Sequence, residues 1–359
     1  MRMASVEVIP YALPFKQPYV TARGTLTRRE MVLLRIRSGD GVVGLGEAVP
    51  LSLRGGATLD QVLRELEEVD ESEALHDLIE GPLPEYFEAA MIDPRLTLSP
   101  PAQCAVLGAL NDLQARVSGV SSTPAVIQCN ATLVAGKPAA VAADALEWAA
   151  AGFSVFKLKL GTSADLAQVA AVRAAVGPEA KIRVDANAAW SFETAAQIVR
   201  QIEHFDIELI EQPVATMEEA SMLSDMTSIP LSGDESIASG KDAVRAVKMG
   251  AFQVAGIKLS KVGGVFEGLE IAETMPAYAS SALDGPVGIA AGADFAASLE
   301  IEDLELERPS FAHGLATQRL FASTIAAVEC ELRDGMLHMP PGPGLGIEID
   351  EDALRAHRL

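Results

Sequence analysis

The chain has 359 residues, a formal net charge of -22 and a hydrophobic content of 49%. This length suits one large barrel with a smaller domain, or two ordinary domains. The strong negative charge argues against nucleic acid and an anionic membrane surface as partners, and a solvated acidic surface is its simplest explanation.

Cysteine usage and the N-terminal sequence predict a soluble protein of the cytoplasm. Cys104, Cys129 and Cys330 are far apart and form no CxxC pair. An odd and sparse count fits a reducing compartment better than a disulfide scaffold. The first residues, MRMASVEVIPYALPF, lack the apolar core of a signal peptide. No apolar run is long enough to span a bilayer, so we expect no membrane association.

The first part of the chain mixes predicted strands and helices. The segment VEVIPYALPF predicts an edge strand, and EMVLLRIRSGDGVVGLGEAV predicts a hairpin that turns at Asp40 and Gly41. TLDQVLRELEEV follows as an amphipathic helix. SPPAQCAVLGALNDLQARVSG predicts a longer helix with Ser99 as its N-cap. The acidic stretch 71–101 shows no regular pattern.

After Pro124, short β-rich segments alternate with helical segments, which predicts a parallel sheet. Polar residues recur near the predicted strand ends at intervals of 23 to 26 residues. One βα unit is about 25–30 residues long. An open sheet would not gather so many strand ends around one point, so we predict a closed (β/α) barrel that starts near residue 125. The recurring residues are Lys159, Asp185, Glu211, Asp234, Lys258 and Asp284.

Three carboxylates on successive predicted strands form a candidate metal site. Asp185, Glu211 and Asp234 would repel one another unless a cation neutralised them. A hard cation such as Mg²⁺ prefers oxygen ligands of this kind. A salt bridge or a helix cap would explain any one of these acids alone, but the regular spacing favours a metal for the three together. Asn187 and Glu235 are nearby and are expected to orient the ligands.

Lysines flank the carboxylates on both sides in the sequence. Lys157 and Lys159 alternate in VFKLKLG, so a strand would point both to the same face. Lys258, in GIKLSKVGG, lies one strand after the acids. A neighbouring lysine and a metal cation both lower the pKa of a lysine, and this makes it a useful base. We predict that one lysine of the pair tunes the site and the other transfers protons. Taken alone, the pair would also fit lysines that extend to solvent from a strand edge.

The motifs KLKLG, VDANAAW, ELIEQP, SGDES and GIKLSKVGG resemble, in order, those of the muconate-lactonising subgroup of the enolase superfamily. The resemblance covers essentially the whole chain. It implies a (β/α)7β TIM barrel of residues 125–325 and an α+β capping domain built from residues 1–124 and the C-terminal segment 326–359. It implies Mg²⁺ as the cofactor, with Mn²⁺ as a possible substitute, and a small carboxylate as the substrate. Such barrels often form homo-oligomers.

Within this subgroup, SSALDGPVGIAAGADFAASL and FAHGLATQRLF resemble segments of the o-succinylbenzoate synthases of menaquinone biosynthesis. This resemblance implies a carbon–oxygen lyase that eliminates water. Lys159 would take the α-proton and return it to the departing hydroxyl. Lys258, facing the opposite side, would stabilise the developing negative charge. Arg183 is expected near the paired lysines, where its positive charge would help to lower their pKa.

Loop residues of the capping domain and two late barrel residues are candidates for substrate contacts. The loop PFKQPYVTARGTLTRRE is expected to close over the substrate, with Arg23 and Thr25 near a substrate carboxylate. Arg54 is a further loop candidate. Asp284 and His313 lie near the ends of the seventh and eighth predicted strands.

The same residues also fit other activities. An N-acylamino acid racemase or a dipeptide epimerase needs a proton source on each face, which Lys159 and Lys258 would supply. A dipeptide epimerase usually has an acidic pair for the substrate amine, and Asp284 stands alone in that region. A muconate cycloisomerase is a weaker alternative. A barrel kept only as a scaffold would be expected to have lost a ligand or a lysine, and none is lost.

Overall fold

The structure is a computed structural model and describes residues 5–21, 24–52, 55–72, 97–121 and 125–359. An antiparallel sheet packed against two helices forms its N-terminal part. The hairpin predicted at Asp40 and Gly41 and the helix with Ser99 as its N-cap are both confirmed. The elements are β1 (Ser5–Thr21), β2 (Gly24–Arg37), β3 (Val43–Ala48), α1 (Leu59–Asp70) and α2 (Pro100–Ser118).

Strand β3 lies directly on helix α2 because two of its residues are glycines. A Cβ atom at Gly44 would lie 2.1 Å from the carbonyl oxygen of Ala109, and one at Gly46 would lie 1.9 Å from that of Ala105. No side chain fits at these distances. The close contact lets the apolar face of the sheet reach both helices and form a core of its own.

Seven parallel strands form the wall of a barrel, in the spatial order β5 to β11. They are β5 (Ala131–Leu133), β6 (Val155–Lys159), β7 (Lys181–Asp185), β8 (Ile207–Glu211), β9 (Leu231–Gly233), β10 (Val254–Ile257) and β11 (Ala277–Ala279). The helices of this region are α3 (Pro138–Ala150), α4 (Asp165–Val176), α5 (Phe192–Ile202), α6 (Met217–Ser224), α7 (Gly240–Met249), α8 (Leu259–Val262), α9 (Val265–Thr274) and α10 (Pro286–Glu305). Among the described residues, no helix combines the length and the apolar character needed to cross a membrane.

A short segment at His313 and Gly314 closes the ring. It forms parallel bridges to Cys129, which precedes β5, and to Ser280, which follows β11. Its backbone nitrogen atoms donate to Gln128 and Ala279 on the two sides. The segment therefore takes the place of an eighth strand, and the predicted fold class, a (β/α)7β TIM barrel with a capping domain, is confirmed.

The C-terminal part of the chain returns to the N-terminal sheet. Helix α11 (Glu351–His357) follows the small strands, and the backbone nitrogen of Leu359 donates to the carbonyl oxygen of Pro10 in β1 at 3.0 Å. An ion pair of 2.6 Å joins Arg35 to Glu351. The domain boundaries at residues 124 and 325 stay a prediction. The small strands are β4 (Val126–Gln128), β12 (Ala326–Val328), β13 (Glu331–Arg333), β14 (Met336–His338) and β15 (Glu348–Ile349).

The first β-rich segment after Pro124 is divided between two sheets. Strand β4 pairs antiparallel with β14, whereas β5, only a few residues later, pairs parallel with β6 in the barrel. The first strand of the barrel wall therefore begins at Ala131.

A buried glutamate joins the N-terminal sheet to the barrel. Glu47 of β3 accepts hydrogen bonds from the hydroxyl of Tyr11 at 2.8 Å and from the backbone nitrogen of Gly285 at 2.6 Å. Gly285 is the N-cap of α10. Burial and the negative charge of Asp284 raise the pKa of Glu47 from 4.5 to about 7, although its hydrogen bonds oppose the shift.

The contact between β3 and α2 predicts opposite effects for two glycine substitutions. Gly46→Ala should lower the free energy of unfolding by about 1–3 kcal/mol, because its Cβ has no space. Gly108→Ala is the matched control on the facing helix, where the nearest atom to a Cβ lies 3.9 Å away. It should raise stability by about 0.5–1 kcal/mol through helix propensity. Urea unfolding measures both, and equal effects would contradict this account.

The raised pKa of Glu47 predicts a pH-dependent stability. Between pH 4.5 and 7 the folded protein keeps a proton on Glu47 that the unfolded chain has released, because the folded-state pKa is higher. The free energy of unfolding should therefore fall as the pH rises through this interval, by at most about 3 kcal/mol from this group. Glu47→Gln cannot titrate and should lack this part of the pH dependence. Parallel stability profiles for the two proteins in urea unfolding would refute the prediction.

Candidate active site

The carboxyl ends of neighbouring barrel strands bring the predicted charged residues together. The backbone register aligns Lys159 with Asp185, and Asp185 with Glu211. Asp234 follows β9 directly, and Lys258 follows β10 directly. These residues and Lys157 are buried, with a relative exposure of 5% or less for each residue.

The three carboxylates are paired with lysine side chains. Lys157 Nζ lies 2.5 Å from Glu211 Oε2 and 3.0 Å from Asp185 Oδ2, and Lys159 Nζ lies 2.6 Å from the same Asp185 oxygen. Lys258 forms an ion pair with Asp234. Lys261, which the sequence analysis did not single out, lies 3.1 Å from Asp234 Oδ1.

This pairing sets the protonation of the buried groups. Burial lowers the pKa of Lys157, but Asp185 and Glu211 raise it well above its usual value. Burial also lowers the pKa of Lys159, and Asp185 again reverses the direction, so that the net shift is upward. Burial raises the pKa of Asp185, whereas the two lysines hold it below its usual range. Between these side chains alone, the carboxylates outweigh the neighbouring lysine. The expected lowering of a lysine pKa included a metal cation and stays a prediction.

The residues at the strand ends are of the chemical type that binds a divalent cation. Within the described ranges, no group of three or more His, Cys, Asp or Glu side chains is arranged to hold a metal, and lysine ammonium groups lie among the carboxylates. Glu211 Oε1, however, is buried and has no hydrogen-bond partner among the described residues. Buried carboxylates on three successive strands are the oxygen donors that Mg²⁺ prefers. The assignment of Asp185, Glu211 and Asp234 as metal ligands stays a prediction.

Side chains around the carboxylates hold the strand ends in place. Lys159 Nζ donates to Asn187 Oδ1 at 3.1 Å, and the Asn187 amide lies 3.3 Å from Glu235 Oε1. The sequence analysis missed Gln212, which is fully buried. Its Oε1 accepts from the backbone nitrogen of Asp234 at 3.0 Å, and its Nε2 donates to the carbonyl of Val214 at 2.9 Å. A polar residue directly after Glu211 in an apolar segment was the available signal.

Arg183 lies inside the barrel, on the strand next to Lys157. Its guanidinium pairs with Glu208 at 2.5 Å and stacks over the ring of Tyr278, 5.1 Å from the ring centre. The sequence analysis also missed Tyr278, whose hydroxyl donates to Glu211 Oε2 at 2.5 Å. Burial and the charge of Glu211 raise the pKa of Tyr278 well above its usual value, so the hydroxyl keeps its proton.

A small cavity of about 70 Å³ lies over the lysines, between the barrel and the N-terminal sheet. Ligand cavities are usually several hundred Å³. Two of its lining residues, Tyr19 and Thr132, also line a neighbouring groove of about 530 Å³, which gives the site an adjoining space. Its other lining residues include Leu26, Arg29, Leu51, Lys157, Lys159, Asn187, Lys258, Ser280, Ser281 and Thr317.

Three of the predicted substrate contacts, Thr25, Asp284 and His313, are absent from the lining of this cavity. Asp284 accepts hydrogen bonds from Ser281 Oγ at 2.6 Å and from the backbone nitrogen of Ala282 at 2.7 Å, so it holds the loop after β11. His313 is buried in the barrel wall, where its Nδ1 accepts from the backbone nitrogen of Ala279 at 3.0 Å. Thr25 lies in β2 and is also absent from the lining. These placements do not favour substrate contact. Arg23 and Arg54 lie outside the described residues.

Two family models match the chain and together cover most of it. The model described as "Mandelate racemase / muconate lactonizing enzyme, N-terminal domain" matches residues 3–123, and "Enolase C-terminal domain-like" matches residues 140–353. Muconate cycloisomerase 1 of Acinetobacter baylyi is 30% identical over 99% of both chains. The L-Ala-D/L-Glu epimerase of Bacillus subtilis is 30% identical, covering 83% of this chain and 86% of that protein. The o-succinylbenzoate synthase of Thermobifida fusca is 39% identical, covering 45% of this chain and 49% of that protein.

Solved structures with the same fold align with nearly the whole chain. A muconate lactonizing enzyme from Pseudomonas fluorescens, complexed with muconolactone, has a TM-score of 0.87 at 27% identity and covers 100% of this chain and 99% of its own. A dipeptide epimerase from Enterococcus faecalis, complexed with Mg and the dipeptide L-Leu-L-Tyr, has a TM-score of 0.86 at 27% identity, with coverage of 97% and 100%. The chain belongs to the enolase superfamily, in the subgroup that includes the muconate cycloisomerases and the o-succinylbenzoate synthases.

Proposed function

We propose that the protein is a Mg²⁺-dependent dehydratase of the o-succinylbenzoate synthase type. It would convert 2-succinyl-6-hydroxy-2,4-cyclohexadiene-1-carboxylate to 2-succinylbenzoate and water. One observation carries the proposal: two buried lysines lie across the barrel from each other, with three buried carboxylates on the strands between them. Lys159 ends β6 and Lys258 follows β10, four positions apart in a ring of eight.

The charge of the cavity favours a substrate with two carboxylates. Arg29, Lys157, Lys159 and Lys258 line the cavity, and no Asp or Glu of the described chain is among its lining residues. The carboxylates paired with these lysines balance their charge. A divalent cation bound to those carboxylates would leave the cavity positively charged, so that it attracts anions and repels an ammonium group. The proposed substrate carries one carboxylate on its ring and another on its succinyl chain, which matches this cavity.

Asp185, Glu211 and Asp234 would hold the Mg²⁺ ion. When bound, the ion would supply positive charge that makes the α-proton of the substrate carboxylate more acidic. Lys159 must be neutral to accept that proton. Its pKa is raised in the structure chiefly by Asp185, and sharing that carboxylate with a divalent cation removes much of the cause.

The two lysines divide the proton chemistry. Lys159 takes the α-proton, and the electrons of the broken C–H bond form the new double bond as the C–O bond to the hydroxyl breaks. Lys159 then returns the proton to the departing hydroxyl, which leaves as water, and the ring becomes aromatic. Lys258 stays protonated on the opposite face, where its ammonium group stabilises the developing negative charge.

Two isomerase activities are the alternatives with specific support. A muconate cycloisomerase acts on a dicarboxylate, and the relative of that name aligns over 99% of both chains. An N-acylamino acid racemase would use both lysines, one on each face. A dipeptide epimerase fits less well, because the side chain of Asp284 accepts a hydrogen bond from its own loop and no acid of the described chain lines the cavity.

The dehydratase is tested by following loss of 2-succinyl-6-hydroxy-2,4-cyclohexadiene-1-carboxylate by absorbance, with Mg²⁺ present. Lys159→Ala should lower kcat by about 10²–10⁴-fold, because the general base is removed. Lys181→Ala is the matched control: this lysine begins the next strand, and its side chain is 59% exposed. It should leave the rate unchanged.

No turnover by folded, Mg²⁺-loaded protein would contradict the dehydratase. The alternatives are then separated by their own substrates. Exchange of the α-proton in D₂O with N-succinyl amino acids would indicate the racemase, exchange with dipeptides the epimerase, and conversion of muconate the cycloisomerase.

Metal removal gives an independent prediction. Dialysis against EDTA should abolish turnover, and Mg²⁺ should restore it, with Mn²⁺ as a possible substitute. Mg²⁺ should also raise the Tm of the wild-type protein, because a ligand that binds the folded state stabilises it. Asp185→Asn should lose most of this increase. A Tm that does not respond to Mg²⁺ in the wild type would refute the metal assignment.

A further inference from the structure

Tyr278 lies beneath the charged residues, inside the barrel. It lies two positions before Ser280, a residue of the cavity that directly follows β11, so in an extended chain the two side chains point the same way. Tyr278 is fully buried and does not line the cavity. Its hydroxyl donates to Glu211 Oε2 at 2.5 Å and lies 3.2 Å from Ser232 Oγ. The proposed reaction has no step for this tyrosine.

The two oxygens of Glu211 have different surroundings. Oε2 accepts from both Tyr278 and Lys157, each at 2.5 Å. Oε1 is buried and has no hydrogen-bond partner among the described residues. The terminal torsion of a glutamate is broad, so a carboxylate without such donors would sample several orientations. The two donors on Oε2 therefore determine that Oε1 is the oxygen left for a further ligand.

The surroundings of Tyr278 hold its hydroxyl at this place. Gly256, its neighbour on β10, has no side chain, and a Cβ there would lie 2.9 Å from the hydroxyl oxygen. The guanidinium of Arg183 stacks on the ring, and Phe311 packs against it with ring centres 6.3 Å apart. The register places Gly256 opposite Tyr278, and the missing side chain of the glycine leaves room for the tyrosine hydroxyl.

We propose that Tyr278 is a positioning residue that orients Glu211 for Mg²⁺ binding by fixing Oε2 and presenting Oε1 to the ion. This inference rests on the proposed metal site. Partners that orient metal ligands typically contribute about 10–100-fold to metal affinity. Tyr278 acts through Glu211 and touches no substrate, so we expect its loss to change chiefly the affinity for Mg²⁺.

The test is Mg²⁺ titration of the full-length protein by isothermal calorimetry, without substrate. Tyr278→Phe removes only the hydroxyl and should weaken Mg²⁺ binding by about 10–100-fold. Tyr11→Phe is the matched control, because Tyr11 is also fully buried and also donates to a buried glutamate, Glu47, at 2.8 Å. It should leave the Mg²⁺ affinity unchanged. If Tyr278→Phe fails to fold, Gly256→Ala, which displaces the hydroxyl, should weaken binding in the same direction.

The first two outcomes separate this inference from the proposed reaction, and the third tests the metal site that both require. The inference is overturned if Tyr278→Phe binds Mg²⁺ with an affinity within about twofold of the wild type, because the expected loss is much larger. This holds whether or not the variant turns over the proposed substrate. Weakened binding in Tyr278→Phe but not in Tyr11→Phe supports it, even if the proposed substrate is not converted. A wild-type protein that binds no Mg²⁺ overturns both the inference and the metal site.

Discussion

The mutual neutralisation of six buried charges at one end of the barrel is the constraint on which the rest of the structure depends. Three carboxylates and three lysine ammonium groups are withdrawn from water there. An isolated buried charge is costly, and removing one partner of a buried pair leaves the other uncompensated. The strand register aligns Lys159, Asp185 and Glu211, so it brings the opposite charges together as well as defining the fold.

The N-terminal sheet completes this arrangement by covering it. Tyr19, Leu26 and Arg29 line the small cavity from above, whereas the groups proposed for metal binding and proton transfer belong to the barrel. Excluding water strengthens every charge interaction beneath the cover. Glu47 ties the cover to the start of α10, beside the loop after β11. The chemistry and its enclosure thus come from different parts of the chain.

The fold and the charged residues were readable from the sequence because both repeat with one βα unit. The interval between Lys159, Asp185 and Glu211 reflects one strand, one helix and their loops. Features that depend on side-chain direction were not readable. Asp284 was predicted to contact the substrate, whereas its side chain accepts a hydrogen bond from Ser281 in its own loop. Tyr278 was missed because AYASSALDG looks like an ordinary buried strand, and its partner Glu211 lies 67 positions away.

The contact between Gly256 and Tyr278 has an evolutionary consequence. Any side chain at position 256 would lie too close to the tyrosine hydroxyl, and loss of the tyrosine would leave an empty space beside the glycine. Neither change is tolerated well alone, since one creates a clash and the other a cavity. The two positions should therefore covary among descendants of this chain: a larger residue at 256 is expected to accompany a smaller one at 278.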